Sequence, residues 1–415
     1  TTLIKDFSSR SLYEQAVKTQ ALVQLYYGKP QKFAYFDGHS TGGRQGWKMA
    51  QQYPEMYDGF LIAAPAISTS KFPLNNMYAT LVMKQELGYT PADPEFVASN
   101  FKQKMTEVNK RAVAACDKEQ LGFLLDPYAC NYDPSKDAAA LCLGVAVAGG
   151  ATGTNADTKS CVNLAEARAI NKIWYGITTD GSYDANESLD NRTGKTLGAT
   201  ATGKQLWWSF PRGSNWGSMV SRVGGTDALA LYRQDIRYAT SQALNPTGFW
   251  LNAGVQERDK WREVDFAMLT DTFAKGIALQ PVFDNLNSDS ADLSKARSLG
   301  RKIVTYTGLA EDVIPPAISV NHFERVVASV GSLDETQKFL RLYNVPGKAH
   351  SSQGRSYTVS GNNNTVPLPK LPGGANQTPT REQDQMFSAL QDWVEKGNAP
   401  TDITLTSRDS SVSYP

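Results

Sequence analysis

The pentapeptide Gly38-His39-Ser40-Thr41-Gly42 constrains this chain more than any other feature, because a G-x-S-x-G sequence carries weight only where a strand runs into it and a helix leaves it. Both flanks are present. Lys32 to Phe36 reads as a short buried strand, Asp37 to Gly43 as a Gly-rich turn, and Arg44 to Gln52 as a helix that stops before Pro54. Glycines two before and two after the serine permit a strained turn that lifts a hydroxyl out of a sheet. The following helix N-terminus then points its positive dipole at any oxyanion formed there, with the Thr41 backbone N–H as one donor. An ordinary βα turn is the bland alternative.

The surrounding pattern is α/β. Ser11 to Gly28 places Leu12, Ala16, Val23, Tyr26 and Tyr27 on one helical face before a Gly stop, and Gly59 to Ala64 is an apolar strand. The texture then changes from Ser68 to Gln280, where Gly, Asn, Thr and Asp are frequent and all four cysteines fall. The α/β pattern returns with a strand at Lys302 to Thr307, a helix at Ala317 to Val330, a strand at Phe339 to Val345 and a late helix at Arg381 to Lys396. Residues 360–379 read as a long surface loop. The expected organisation is a mostly parallel α/β core in two parts, residues 1–67 and 281–415, split by a lid domain over 68–280.

Composition narrows the function. With 42 Lys+Arg against 41 Asp+Glu the formal charge is +1, with no basic stripe, so a nucleic-acid partner has no electrostatic footprint. The longest nearly apolar run, Leu141 to Ala148, is far short of the roughly 18 residues that span a bilayer, so no membrane role is expected. Cys116, Cys130, Cys142 and Cys161 lie in a loop-rich stretch without a C-x-x-C pair or a neighbouring His, which favours two local disulfides over a zinc site. That points to an oxidising compartment, secreted or periplasmic.

A serine nucleophile needs a base, and the chain has three histidines. His39 adjoins Ser40 and should project away from it across the turn. His322 lies inside a helical pattern, where a polar residue is most simply solvated. His350 follows a strand and the turn Val345-Pro346-Gly347, late in the chain, and is the expected base. The acid that orients it should fall between Ser and His in sequence, a slot that Glu311 and Asp312 share after the strand Lys302 to Thr307.

Beyond these rules the chain resembles the tannase and feruloyl esterase family of α/β-hydrolases, which also contains mono(2-hydroxyethyl) terephthalate hydrolase. Residues 35–46, Ala50 to Pro54, Tyr57-Asp58-Gly59 and Ala63 to Ala66 are similar to its nucleophile block. Gly308 to Pro316 resembles its acid block, Val345 to His350 its histidine block and Ala389 to Glu395 its C-terminal helix. The resemblance implies an α/β-hydrolase fold with a large inserted lid and a serine carboxylesterase acting on small esters of aromatic acids. Ser40, His350 and an acid would act through an acyl-enzyme without a cofactor. Aligned on Ile314-Pro315-Pro316, the family's acid falls on Glu311, with Asp312 as the alternative. Resemblance to the family's lid, together with the shortest loops, implies the pairs Cys116 with Cys130 and Cys142 with Cys161. In the lid, Trp207, Trp208, Arg212 and Trp216 are read as an aromatic cluster around one cation, suited to stacking an aromatic acid. Other hydrolase activities on the same fold, such as a phthalate or terephthalate monoester hydrolase, a general carboxylesterase, a peptidase or a lipase, remain open at this stage, as does a silent binding protein.

Three departures from the family carry expectations of their own. Members typically have cysteines just before the nucleophile and just after the histidine, joined as a disulfide. Here those places hold His39 and Ser351, so packing and hydrogen bonds must tie the two loops, with His39 to Ser351 the nearest candidate pair. The family's acidic calcium loop corresponds to Asp117 to Asp126, which has lost most carboxylates, so no metal site is expected. Only one helix and one strand precede Ser40, which leads to the expectation that an N-terminal part is missing, and that a separate segment completes the fold.

Overall fold

The computed structural model describes residues 2–146, 150, 152–183, 204–208, 210–221, 223–224, 260–350, 369–370, 385–403, 405–407 and 413–414. Its organising feature, among the described residues, is a four-stranded, wholly parallel sheet. Strands β1 (Tyr35–His39), β2 (Gly59–Ala63), β3 (Lys302–Gly308) and β4 (Leu340–Val345) lie side by side in that order, with β1 at one edge. Registers are continuous: Tyr35 opposes Gly59, Gly59 opposes Lys302, and Gly308 opposes Val345. All four strands therefore deliver their C-terminal ends to one edge of the sheet, where α/β proteins bind ligands.

Alternation along the strands feeds two faces. Phe60, Ile62, Ile303 and Leu340 point into the main hydrophobic cluster, whereas Leu61, Val304 and Val345 meet Met386, Leu390 and Trp393 of a helix at Gln385–Lys396 on the other face. The main cluster continues without a break into the segment between β2 and β3. There helices at Leu74–Leu87, Phe101–Cys116, Leu164–Tyr175 and Phe266–Ala278 pack with a short antiparallel pair, Ile177–Thr178 with Gln205–Trp207. The disulfides Cys116–Cys130 and Cys142–Cys161 staple this segment, the pairing that the resemblance implied. Within the expected loop 360–379, Pro369–Lys370 instead forms a short strand on Leu405–Ser407, and its neighbours lie outside the described residues.

Several boundaries differ from the sequence expectation. The strand expected at Lys32 to Phe36 is displaced to Tyr35–His39, because its parallel partner begins only at Gly59. Ahead of that point Ala34 bonds instead to Asp58, through Ala34 N–H to Oδ2 at 2.9 Å and Asp58 N–H to Ala34 O at 2.7 Å. The next helix, α1 (Thr41–Gln52), begins directly after Ser40 and not at Arg44. The helix Ser11–Tyr27 ends as expected at Gly28, in the left-handed conformation with φ 69°. Its apolar stripe is buried only at Leu12 and Ala16, while Tyr26 is 82% exposed.

Two cations on α1 are buried where an amphipathic reading puts solvent. Arg44 donates to the carbonyls of Phe7 and Ser8, at 2.9 and 3.2 Å, and Lys48 donates to those of Asp284 and Asn285. Desolvation pushes the Lys48 ammonium down to about 8, so these carbonyls substitute for lost water as they tie residues 7–8 and 284–285 to the helix that carries the elbow.

Candidate active site

Ser40 sits between β1 and α1 with φ 62° and ψ −117°, a conformation that costs a non-glycine residue about 1–3 kcal/mol and persists only when its surroundings over-determine it. Main-chain bonds on both sides hold it there. Its N–H donates to Ala63 O at 3.0 Å, and its carbonyl accepts from Arg44 N–H and Ala66 N–H, each at 3.0 Å. The glycines are not equivalent. A Cβ on Gly38 would lie 2.3 Å from Gly42 O, and one on Gly43 2.7 Å from Ala63 O, whereas one on Gly42 would meet nothing within 4 Å. The expectation that the glycine two after the serine relieves a Cβ clash is thus corrected: that requirement falls on Gly43, which seats α1 against the end of β2. As first residue of α1, Thr41 has an N–H without an intrahelical acceptor, at the positive end of the helix dipole.

The loops after β3 and β4 bring the other groups to this point. His350 Nε2 is 2.9 Å from Ser40 Oγ, and its Nδ1 is 3.0 Å from both carboxylate oxygens of Glu311. A carboxylate only accepts, so Nδ1 donates to Glu311, and Nε2 of the neutral ring is left to accept the Ser40 hydroxyl proton. Glu311 is fully buried, and its Oε1 accepts from the Val313 and Ile314 N–H groups at 2.9 and 3.1 Å. Asp312 takes a different part: its Oδ1 accepts from the His350 backbone N–H at 3.1 Å. The Lys348 ammonium is buried in the same loop; desolvation pulls it down to about 8, opposed by the charges of Glu311 and Asp312. The arrangement can pass a proton from a hydroxyl to an imidazole whose resulting cation faces a buried carboxylate.

The remaining sequence candidates lie elsewhere. His322 is buried, not solvated: its Nε2 donates to Ser290 O at 2.8 Å and its ring meets Trp47 edge-on at 4.5 Å, because its side of the helix Ala317–Val330 packs against α1. Ser351, the expected partner of His39, lies outside the described residues; the His39 Nε2 is 2.7 Å from the His350 carbonyl oxygen. The expected single aromatic cluster around Arg212 is also corrected. The Arg212 guanidinium stacks 4.8 Å from the Trp174 ring centroid and donates to Tyr132 O, Trp207 packs on Trp208 and under Lys71, and Trp216 lies fully buried between Trp174 and Phe210. Trp207, Trp208 and Trp216 are buried among other side chains. Among the described residues no group of three or more His, Cys, Asp or Glu could hold a metal ion, and no helix is long and apolar enough to cross a membrane.

Comparison with known proteins adds a family to this geometry. The profile of the tannase and feruloyl esterase family matches residues 2–413. A probable feruloyl esterase of Arthroderma benhamiae is 27% identical over 412 residues, spanning 99% of this chain and 63% of that protein. The probable feruloyl esterase B-1 of Aspergillus fumigatus is 25% identical, over 99% of this chain and 66% of that protein. The chain thus spans just under two thirds of the length of these relatives. Solved structures of feruloyl esterase B from Aspergillus oryzae and of tannin acyl hydrolase from Aspergillus niger superpose with TM-scores of 0.65 and 0.66. They are 20% and 19% identical, each covers 99% of this chain, and the superposition spans 70% and 66% of those chains. At such identity the likeness speaks for the fold alone, an α/β-hydrolase with a large insertion between its second and third strands.

Proposed function

Because the chain belongs to the tannase and feruloyl esterase family, we propose that it is a serine carboxylesterase that hydrolyses esters of aromatic acids. One observation carries this reading: Ser40 Oγ, the His350 ring and the Glu311 carboxylate form one hydrogen-bonded line, at 2.9 and 3.0 Å, on a strained elbow. Ser40 attacks the ester carbonyl as His350 Nε2 takes its proton, and Glu311 stabilises the imidazolium. The Thr41 N–H at the end of α1 meets the developing oxyanion. His350 then returns the proton to the leaving alcohol, and water attacks the acyl-enzyme by the same route in reverse. The lid, residues 68–280, supplies the wall against which the aromatic acid is chosen, its disulfides keeping it in shape. Those disulfides support work in an oxidising compartment, as a secreted or periplasmic protein.

Feruloyl, galloyl, terephthaloyl and fatty-acyl esters, offered in parallel, test the substrate class: hydrolysis of the aromatic acyl esters in preference to the fatty-acyl ones is expected, and the reverse order would overturn it. Ser40→Ala and His350→Ala should each lower turnover by about 10³-fold or more in a folded protein. More than about a tenth of the activity left in either would remove the assignment, since general-base catalysis alone is worth roughly 10²–10⁴-fold.

A further inference from the structure

The base sits on a loop, yet both polar groups of its peptide backbone are bonded by side chains. The His350 N–H donates to Asp312 Oδ1 at 3.1 Å, from the loop after β3, and the His350 carbonyl accepts from His39 Nε2 at 2.7 Å, from the end of the nucleophile strand. Resting on the reading of the site given above, we infer that His39 is a positioning residue, whose bond to the His350 carbonyl holds the base in line with Ser40.

Beside the Ser40–His350 bond itself, the geometry makes this bond a direct tie between the strand that leads into the nucleophile and the loop that carries the base. His39 precedes Ser40 in the chain, so its backbone is fixed by the β1–β2 ladder, where it opposes Ala63. Its side chain spans to His350, so the bond sets the separation of the two loops from the rigid side. A carbonyl only accepts, so Nε2 of His39 must carry the proton, and the ring can do this while neutral. Neutrality matters because the rings of His39 and His350 lie 4.7 Å apart, and in the reaction His350 becomes a cation. Desolvation and the neighbouring His350 and Lys348 hold His39 below its ordinary value, against the pull of its own bond to the His350 carbonyl and of Glu311. A strut that stays uncharged does not repel the imidazolium it positions.

Two amides and one hydrocarbon separate this role from simple packing. His39→Leu keeps bulk and removes the donor, His39→Gln restores an N–H at nearly the same reach, and His39→Asn carries the same amide one methylene short. The readouts are the rate of fluorophosphonate labelling at Ser40, and kcat and KM on an aromatic ester, for each variant and for the unaltered chain. Misplacement of a reacting group by about 1 Å costs about 10²-fold, so His39→Leu and His39→Asn should lose about 10–100-fold in kcat and labelling rate with KM held within about threefold, and His39→Gln should recover most of it. Failure of the unaltered chain to label at Ser40 would refute the underlying reading of the site. Labelling of the unaltered chain, with His39→Leu labelling as fast or His39→Gln as slow as His39→Asn, would overturn the positioning role alone. If His39→Leu does not fold, the Gln and Asn pair decides on the same terms.

Discussion

Replacing Glu311 by Gln tests the proton path at its most buried point. Three N–H groups converge on the carboxylate: two backbone donors reach Oε1, and His350 Nδ1 lies 3.0 Å from both oxygens. The two backbone donors cannot turn away, so they hold the amide oxygen of Gln at the Oε1 position and leave the amide NH2 at the Oε2 position, beside Nδ1. A donor there competes with that oxygen for Nδ1 and favours the ring proton on Nε2, which then points an N–H at Ser40 and has no lone pair for the hydroxyl proton. Loss of the correct tautomer in a serine triad costs about 10⁴-fold, so kcat/KM should fall by about 10³–10⁴-fold, a barrier increase of about 4–5.5 kcal/mol at 1.36 per tenfold. Asp312→Asn makes the contrasting change. Its amide keeps an oxygen for the His350 N–H, so the loss should stay within about tenfold. Initial rates on an aromatic ester at pH 7, with near-ultraviolet circular dichroism as the check on folding, measure both. A larger loss for Asp312→Asn than for Glu311→Gln would transfer the role of acid to Asp312, and a Glu311→Gln loss below about tenfold would refute the tautomer argument itself.

Gly38→Ala should destabilise by about 3 kcal/mol, since its Cβ would run into the Gly42 main chain, whereas Gly42→Ala has open space and should be neutral or stabilising; urea denaturation ranks them, and equal effects would contradict the geometry of the elbow. Burial lowers His322 to about 4 from an unfolded value near 6.5, so the stability it contributes is complete above pH 6.5 and is lost as pH falls towards 4, about 3 kcal/mol in all. His322→Gln should remove that part of the acid sensitivity in urea denaturation at pH 7 and pH 4, and identical slopes in the two proteins would refute it.

The parts of the fold that the sequence made legible are those set by short-range rules. The β2, β3 and β4 strands and the helix Ala317–Val330 follow from apolar runs and periodicity within single segments, and they stand within a residue of expectation. Long-range packing decides the rest. His322 looked solvated because its helix alone does not reveal that Trp47 covers it. The lid tryptophans looked like a ligand platform because spacing cannot say that Arg212 reaches back to Trp174, or that the cation over Trp207 is Lys71, from the far side of the chain. Arg44 and Lys48 gave no signal, since their partners are carbonyls remote in sequence.

The same division runs through the site. Ser40 is held close by: Arg44 in the first turn of α1, Ala63 at the end of β2 and Ala66 three residues beyond it supply all three bonds to its backbone, and a pentapeptide between a strand and a helix is enough to point to it. His350 has no such local frame. Its peptide is gripped by side chains 38 and 311 positions away, and its ring by a carboxylate 39 positions away. Sequence could find it by elimination among three histidines, but could not separate Glu311 from Asp312, because adjacent carboxylates look alike until each is seen with its partner. In the structure the two have different partners, Glu311 the His350 ring and Asp312 the His350 backbone N–H, a difference that no rule asking for one acid per triad can read from sequence. A base fixed at four points has little freedom to follow a nucleophile that moves, and the nucleophile is itself locked by its ladder. Alignment is therefore carried by the ground-state fold, and side-chain substitutions that loosen any one of those four bonds should act on turnover before they act on stability.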